Sequence, residues 1–161
     1  LLASGRRHIA TIGYERHGTG RQRWRGYLRA LEAAGLEPTP GHAAEVDAYR
    51  REDGAAAMAQ LLQSSAPIDA VLCFNDLLAL GAMRTLREAG IAIPDRIAVA
   101  GFDNIEDARF AYPTLTTVAP DVQFLATEAV RLLVRRTEEP GAPAEQVEVP
   151  FTIEVRQSST A

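Results

Sequence analysis

The sequence predicts an α/β fold in which helices cover both faces of a parallel sheet, giving a three-layer sandwich. Two observations support this prediction. Apolar runs of strand length alternate with helical patterns of about 10–15 residues, and the runs are almost continuously apolar, as expected for strands buried on both faces. The chain has 161 residues, 47% of them hydrophobic, which is enough for the core of one domain or one lobe of a larger protein.

The first half of the chain alternates between strand and helix. Residues 9–13 form a short apolar run, and residues 20–35 follow with apolar side chains at helical spacing and a terminal glycine. Residues 42–46 predict a weak second strand. Residues 53–63 predict an alanine-rich helix with an aspartate at its N-terminus, where negative charge is favourable.

The alternation continues through the centre of the chain. Residues 68–74 predict a strand, residues 77–89 a helix that ends at Gly90, and residues 97–102 another buried strand. The connections between parallel strands of this kind are right-handed.

The pattern changes after Asp103. Residues 115–119 include three β-branched side chains, and residues 122–136 predict a long amphipathic helix. Residues 145–158 are extended, but Pro150 interrupts them, which indicates an edge strand or a break rather than a central strand.

Composition and missing motifs exclude several classes of function. A net charge of −4 and a pI of about 5.4 argue against binding to nucleic acid through its phosphates. No apolar run is long enough to span a membrane. Cys73, the single cysteine, lies in an apolar run, so we expect a reducing, cytoplasmic location. No phosphate loop, nucleophile motif or metal-ligand spacing occurs, so we expect no enzyme, cofactor or metal.

The start of the chain, LLASGRRHIA, has neither an initiator methionine nor the apolar core of a signal peptide. It reads as the middle of a helix. We therefore expect the sequence to be a fragment of a longer protein.

Polar side chains follow the predicted strands at their carboxyl ends. Arg23 follows the first strand, Tyr49 the second, Asn75 and Asp76 the third, and Asp103 the fourth. These ends meet at one edge of a parallel sheet, where open α/β folds bind ligands. Carboxylate, amide and guanidinium groups beside an aromatic ring suit a hydroxyl-rich ligand.

Each of these residues also has a structural interpretation. Asn75 or Asp76 suffices to cap the next helix, and Asp103 suffices to cap a short turn. Tyr49 fits a half-buried core aromatic, and Arg23 fits a solvated or glutamate-paired side chain. A hydrolase that uses Asp76 and Asp103 as paired carboxylates is a further alternative.

Three stretches carry a resemblance to a known family: RQRWRGYLRALEAAG (21–35), DAVLCFNDLLALGAMRTLREAGIAIPDRIAVAGFDN (69–104) and YPTLTTVAPD (112–121). They resemble the effector-binding region of the lactose/galactose-repressor family of bacterial transcription regulators. That family shares its fold with periplasmic sugar-binding proteins. The resemblance implies a type I periplasmic-binding-protein-like fold, represented here mainly by its second lobe.

The resemblance also implies a division of the chain. Residues 1–121 correspond to the C-terminal lobe, and residues 122–161 to a helix and strand that return to the first lobe. The family's helix-turn-helix headpiece and most of its first lobe have no counterpart in this sequence.

Roles for individual residues follow from the same resemblance. Asp76 corresponds to the residue that starts and supports the helix after the third strand. The positions that contact effector in the family correspond to Arg23, Tyr49, Phe74, Asn75 and Asp103. The positions of the dimer contact correspond to Leu80, Arg84, Asp107, Phe110 and Tyr112.

The implied function is binding of a small effector, of carbohydrate type, and dimerisation within a transcription regulator. Operator DNA would be contacted only through the headpiece. The effector class stays open, because a purine-responsive relative uses the same positions. The alternative is a periplasmic-type sugar-binding protein of a transport system.

Overall fold

The computed structural model describes residues 1–13 and 18–160. These residues form one six-stranded sheet with the strand order β2-β1-β3-β4-β5-β6. The first five strands are parallel, and β6 is antiparallel to β5. The strands are β1 (Ile9–Gly13), β2 (Ala43–Glu45), β3 (Ala70–Cys73), β4 (Ala98–Phe102), β5 (Thr116–Pro120) and β6 (Phe151–Glu154).

Five helices and one 3-10 turn, Leu2–Ser4, accompany the sheet in the described part of the chain. The helices are α1 (Gly18–Ala33), α2 (Arg51–Leu62), α3 (Asp76–Glu88), α4 (Glu106–Phe110) and α5 (Val122–Glu138). The four long helices lie where the sequence predicts them. Helix α4 was not predicted, because a helix of 5 residues is too short to show a helical period.

Two glycines end helices at the predicted places. Gly35 follows α1 with φ +67°, and Gly90 follows α3 with φ +68°. The next residue in each case donates its amide back into the last turn: Leu36 to the Leu31 carbonyl and Ile91 to the Leu86 carbonyl, both at 2.9 Å. Glycine adopts this left-handed conformation without the steric penalty of a side chain.

The central strands are buried on both faces, which explains their continuous apolar sequence. Their register keeps the carboxyl ends level: Ile12 aligns with Cys73, and Leu72 aligns with Ala100. The residues after β3 and β4 therefore emerge at one edge of the sheet, as predicted.

Helices α2 and α3 cover one face of the sheet and pack closely on each other. A Cβ atom at Gly81 would overlap the carbonyl of Arg51, and one at Gly54 would overlap the carbonyl of Leu78. The hydroxyl of Thr85 crosses the same contact and donates to the Ala55 carbonyl at 3.1 Å. Both glycines are therefore required by the close approach of the two helices.

Helix α1 covers the opposite face only in part. Tyr27 and Leu31 of α1 pack against Ile9, Ala70 and Ala98. Beside this contact, Tyr27 and Leu31 also line an apolar groove of about 700 Å³ that extends over β3, β4, β5 and β6. The three-layer arrangement is therefore complete on the α2–α3 side and partial on the α1 side.

Helix α5 and strand β6 expose most of their apolar side chains. No residue of α5 is buried. Strand β6 begins directly after Pro150 and lies at the edge of the sheet, which confirms the edge-strand prediction. The exposed apolar side chains are Val122, Leu125, Val130, Leu133 and Val134 on α5, and Phe151, Ile153 and Val155 on or beside β6.

Among the described residues, no helix combines the length and the apolar character that crossing a lipid bilayer requires.

Candidate ligand-binding site

Arg23 and Asp103 meet at the carboxyl edge of the sheet. Nη2 of Arg23 lies 3.6 Å from Oδ1 of Asp103, and Nη1 donates to the carbonyl of Phe74 at 2.6 Å. The guanidinium also lies over the ring of Phe102, 3.9 Å from its centroid. The ends of α1, β3 and β4 thus converge on one cation, which is held in place by three different groups.

The ion pair is partly open to solvent. The Arg23 side chain is 18% exposed and the Asp103 side chain 42%. Partial burial raises the pKa of Asp103, while the positive charge of Arg23 opposes this shift. An ionised Asp103 can accept hydrogen bonds from ligand hydroxyls, and the guanidinium supplies donors beside it.

Asn75 caps helix α3. Its Oδ1 accepts from the amide of Leu78 at 2.8 Å, and its Nδ2 donates to the carbonyl of Tyr49 at 3.3 Å. Asp76 starts this helix, as predicted, but the side-chain cap is supplied by Asn75 and not by Asp76. Contact of Asn75 with a ligand stays a prediction. Asn75 has the extended backbone of an N-cap, with φ −151°, whereas Asp76 is already the first helical residue.

Asp76 is fully buried and reaches across the sheet rather than along its own helix. Its Oδ1 accepts from the hydroxyl of Thr117 at 2.6 Å, and its Oδ2 accepts from the amide of Ile105 at 2.9 Å. Burial raises the pKa of Asp76, and these hydrogen bonds oppose the shift. Because Asp76 is closed to solvent, it does not form an open carboxylate pair with Asp103.

Tyr49 and Phe74 contribute their main-chain carbonyls to the site. The Tyr49 carbonyl accepts from Asn75, and the Phe74 carbonyl accepts from Arg23. The Tyr49 ring is half-buried and packs on the core. The Phe74 ring is buried against Gly13, where a Cβ would overlap it. Contact of either ring with a ligand stays a prediction.

Two residues of the site were not predicted, Phe102 and Thr117. The sequence marks Phe102 only as the end of a strand, although its position beside Asp103 indicates the same edge. Thr117 lies within the β-branched run 115–119, where only the strand pairing reveals its partner. A hydroxyl in a strand is more often a simple sheet residue than a site residue.

The apolar groove adjoins this edge. Arg23, Phe74 and Phe102 line it, whereas its lining residues do not include Asp103, Asn75 or Tyr49. Asp103 therefore lies outside the groove, beside the Arg23 that lines it, and is partly open to solvent.

Of the predicted dimer residues, Leu80 and Arg84 lie on α3, Asp107 and Phe110 lie on α4, and Tyr112 follows α4. Phe110 and Tyr112 are 80% and 82% exposed. Asp107 forms an ion pair with Arg51, and Arg84 pairs with Glu88 one helical turn away at 2.8 Å. Leu80 is half-buried at the edge of the core.

Residues 1–159 match the family of periplasmic binding protein-like domains. The chain belongs to this family. Its curated relatives include the HTH-type transcriptional repressor PurR of Histophilus somni, which is 35% identical over 159 residues, 98% of this chain and 47% of the relative. The HTH-type transcriptional regulator CelR of Thermobifida fusca is 38% identical over 137 residues, 84% of this chain and 40% of the relative.

Solved structures agree with this assignment to a periplasmic binding protein-like domain. A protein from Sanguibacter keddieii assigned to the LacI family of transcriptional regulators superposes with a TM-score of 0.90 and 40% identity, covering 99% of this chain and 61% of that chain. A complex of the regulator CelR with cellobiose superposes with a TM-score of 0.93 and 34% identity. The match covers 99% of this chain and 49% of the CelR chain.

The resemblance to the lactose/galactose-repressor family and the predicted fold class are thereby confirmed. The chain spans about half the length of the curated relatives it matches.

Proposed function

We propose that this chain is the effector-binding and dimerisation region of a LacI-type transcriptional regulator. The observation that carries the proposal is the Arg23–Asp103 pair, held at the carboxyl edge of the sheet and still open to solvent. This edge is where open α/β sheets bind ligands. The region has no catalytic role in this proposal, and it acts in the cytoplasm.

The proposed effector is a hydroxyl-rich small molecule of carbohydrate type. Adjacent hydroxyls match a site in which Asp103 accepts hydrogen bonds and Arg23 donates them. The structural similarity to the CelR–cellobiose complex supports this class. The similarity to PurR makes a purine the competing ligand, to be distinguished by experiment.

The proposal assigns residues 1–121 to the C-terminal lobe and residues 122–161 to segments that return to a first lobe. The apolar side chains that α5 and β6 expose support this division, because such surfaces are normally covered by another part of the protein. A first lobe would also close the open crevice over Asp103. Closure on an effector would then shift the spacing of paired headpieces on operator DNA.

The proposed homodimer uses the exposed surface of Phe110 and Tyr112, with Leu80, Arg84 and Asp107 beside it. The alternative role, a sugar-binding protein of a transport system, is less well supported, because the matched curated relatives are named as transcriptional regulators.

Calorimetric titration of the full-length protein tests the effector proposal. The panel contains cellobiose, glucose, galactose and the purine bases guanine and hypoxanthine. We expect a sugar to bind, Asp103→Ala to weaken that binding, and Arg29→Ala, on the exposed side of α1, to leave it unchanged. Binding of a purine base alone would contradict the carbohydrate class, and unchanged affinity in Asp103→Ala would contradict the site.

A further inference from the structure

The turn that carries Asp103 has an unusual backbone. Asp103 and Asn104 have φ values of +109° and +52°. In the part of the chain that the structure describes, no other non-glycine residue has a positive φ. Such conformations are sterically costly for residues with a Cβ and persist only where the surroundings hold them. The direction of the Asp103 side chain therefore depends on what holds this turn.

Three consecutive amides fix the turn. The amide of Asp103 donates to the Val118 carbonyl at 2.9 Å. The amide of Asn104 donates to Oγ1 of Thr117 at 3.3 Å, and the amide of Ile105 donates to Oδ2 of Asp76 at 2.9 Å. The first acceptor is a strand carbonyl, but the other two are side chains. Asp76 and Thr117 thus hold two of the three amides of the turn after β4. A further hydrogen bond reaches the turn from Arg156, whose Nη2 donates to Oδ1 of Asn104 at 2.7 Å.

Asp76 also orients the second acceptor. The hydroxyl of Thr117 donates to Oδ1 of Asp76 at 2.6 Å, which leaves its lone pairs directed to the Asn104 amide. One buried carboxylate therefore controls two of the three hydrogen bonds. Gly101 makes this possible, because a Cβ at that position would overlap Oδ1 of Asp76.

We propose that Asp76 is a positioning residue for effector binding: with Thr117, it holds the Asp103–Asn104 turn so that the Asp103 carboxylate is presented beside Arg23. Asp76 touches no ligand, because it is fully buried. The inference rests on the proposed effector site. The two adjacent residues at this edge thus have different roles. Asn75 caps α3, and Asp76 holds the turn after β4.

Four variants test this role. In Asp76→Asn, the side-chain oxygen can accept from one donor, but the amide nitrogen cannot accept from the other. Thr117→Val removes the hydroxyl without changing any charge, and Thr117→Ser keeps it. Thr85→Val is the matched control, because the Thr85 hydroxyl joins α2 to α3 away from the turn.

The first measurement is hydrogen exchange of the Asn104 and Ile105 amides by NMR in the 161-residue chain, which needs no ligand. The second is calorimetry of cellobiose binding to the full-length protein. We expect Asp76→Asn and Thr117→Val to speed exchange at both amides and weaken cellobiose binding about tenfold or more. Thr117→Ser should restore both properties. Thr85→Val should lower the unfolding midpoint only.

Unchanged exchange at Asn104 and Ile105 in both variants would overturn the positioning role. Faster exchange with unchanged cellobiose affinity would overturn it as well, because the turn would then not matter for binding. A wild-type protein that binds no member of the sugar and purine panel would refute the proposed function instead. In that case the exchange data alone decide whether Asp76 holds the turn.

Discussion

The guanidinium of Arg23 lies 3.6 Å from the carboxylate of Asp103 and joins the first helix to the turn after the fourth strand. The same guanidinium donates to the Phe74 carbonyl and stacks over the Phe102 ring, so its orientation is fixed before any ligand arrives. A preorganised donor loses less conformational entropy on binding than a free side chain does.

Replacing Arg23 should weaken effector binding even when the charge is kept. Arg23→Lys retains the charge but loses the planar group that donates and stacks at the same time. We expect a loss of about 1–3 kcal/mol of binding free energy for Arg23→Ala, and a smaller loss for Arg23→Lys. Calorimetry on the full-length protein measures both. Equal affinity of Arg23→Ala and wild type would contradict the role of the ion pair.

His42 should make the stability of the fold depend on pH. Its ring is buried, and neither ring nitrogen has a hydrogen-bond partner among the described residues. Burial lowers the pKa of His42, and the nearby His8 lowers it further. The backbone at Pro67 and Ile9 and the charge of Asp69 oppose this shift without reversing it.

The sign follows from this lowered pKa. In the unfolded chain, His42 binds a proton near its ordinary pKa of about 6.5, whereas in the folded chain it binds the proton only at a lower pH. The free energy of unfolding should therefore fall as the pH drops below that value. His42→Gln should remove this part of the pH dependence in urea unfolding, and His8→Gln should leave most of it. An unchanged dependence in His42→Gln would refute the assignment.

The close contact of α2 and α3 should not tolerate a methyl group. A Cβ at Gly81 would overlap the Arg51 carbonyl, so Gly81→Ala should lower the free energy of unfolding by about 1–3 kcal/mol. Gly26→Ala is the matched control, because nothing lies within 4 Å of its added Cβ. That change, within α1, should stabilise the protein by about 0.5–1 kcal/mol. Urea unfolding measures both, and equal effects would contradict the packing argument.

The exposed aromatic pair should control the oligomeric state. Replacing both Phe110 and Tyr112 with serine should convert a dimer of the full-length protein to a monomer in sedimentation, because their exposed rings would supply much of the buried apolar area. Arg29→Ser, on the exposed side of α1, should leave the dimer intact. A dimer that survives the double substitution would contradict the proposed interface.

Helix α5 should be weakly protected in the 161-residue chain. None of its residues is buried, whereas α3 buries several, including Leu78 and Leu86. Amide exchange in α5 should therefore be much faster than in α3. Protection of α5 equal to that of α3 would contradict its assignment to a surface that another lobe covers.

Much of the fold could be predicted because its signals are local. Continuous apolar runs mark β1, β3 and β4, and glycines in the left-handed conformation end α1 and α3 where expected. Parallel pairing places the carboxyl ends of these strands at the same edge of the sheet. The proximity of Arg23 and Asp103 could therefore be predicted from the sequence.

The division of work between Asn75 and Asp76 could not be predicted. Both residue types cap helices well, so local sequence leaves the choice open. The deciding partner is Thr117, which β5 brings beside β4 from a distant part of the sequence. The backbone of Asp103 and Asn104 depends on the same tertiary contact.

The most direct test of the effector site is a crystal structure of the full-length protein with the sugar that calorimetry identifies. We predict ligand hydroxyls within hydrogen-bond distance of both the Asp103 carboxylate and the Arg23 guanidinium. A sugar bound elsewhere, with Arg23 and Asp103 paired only to each other, would contradict the account.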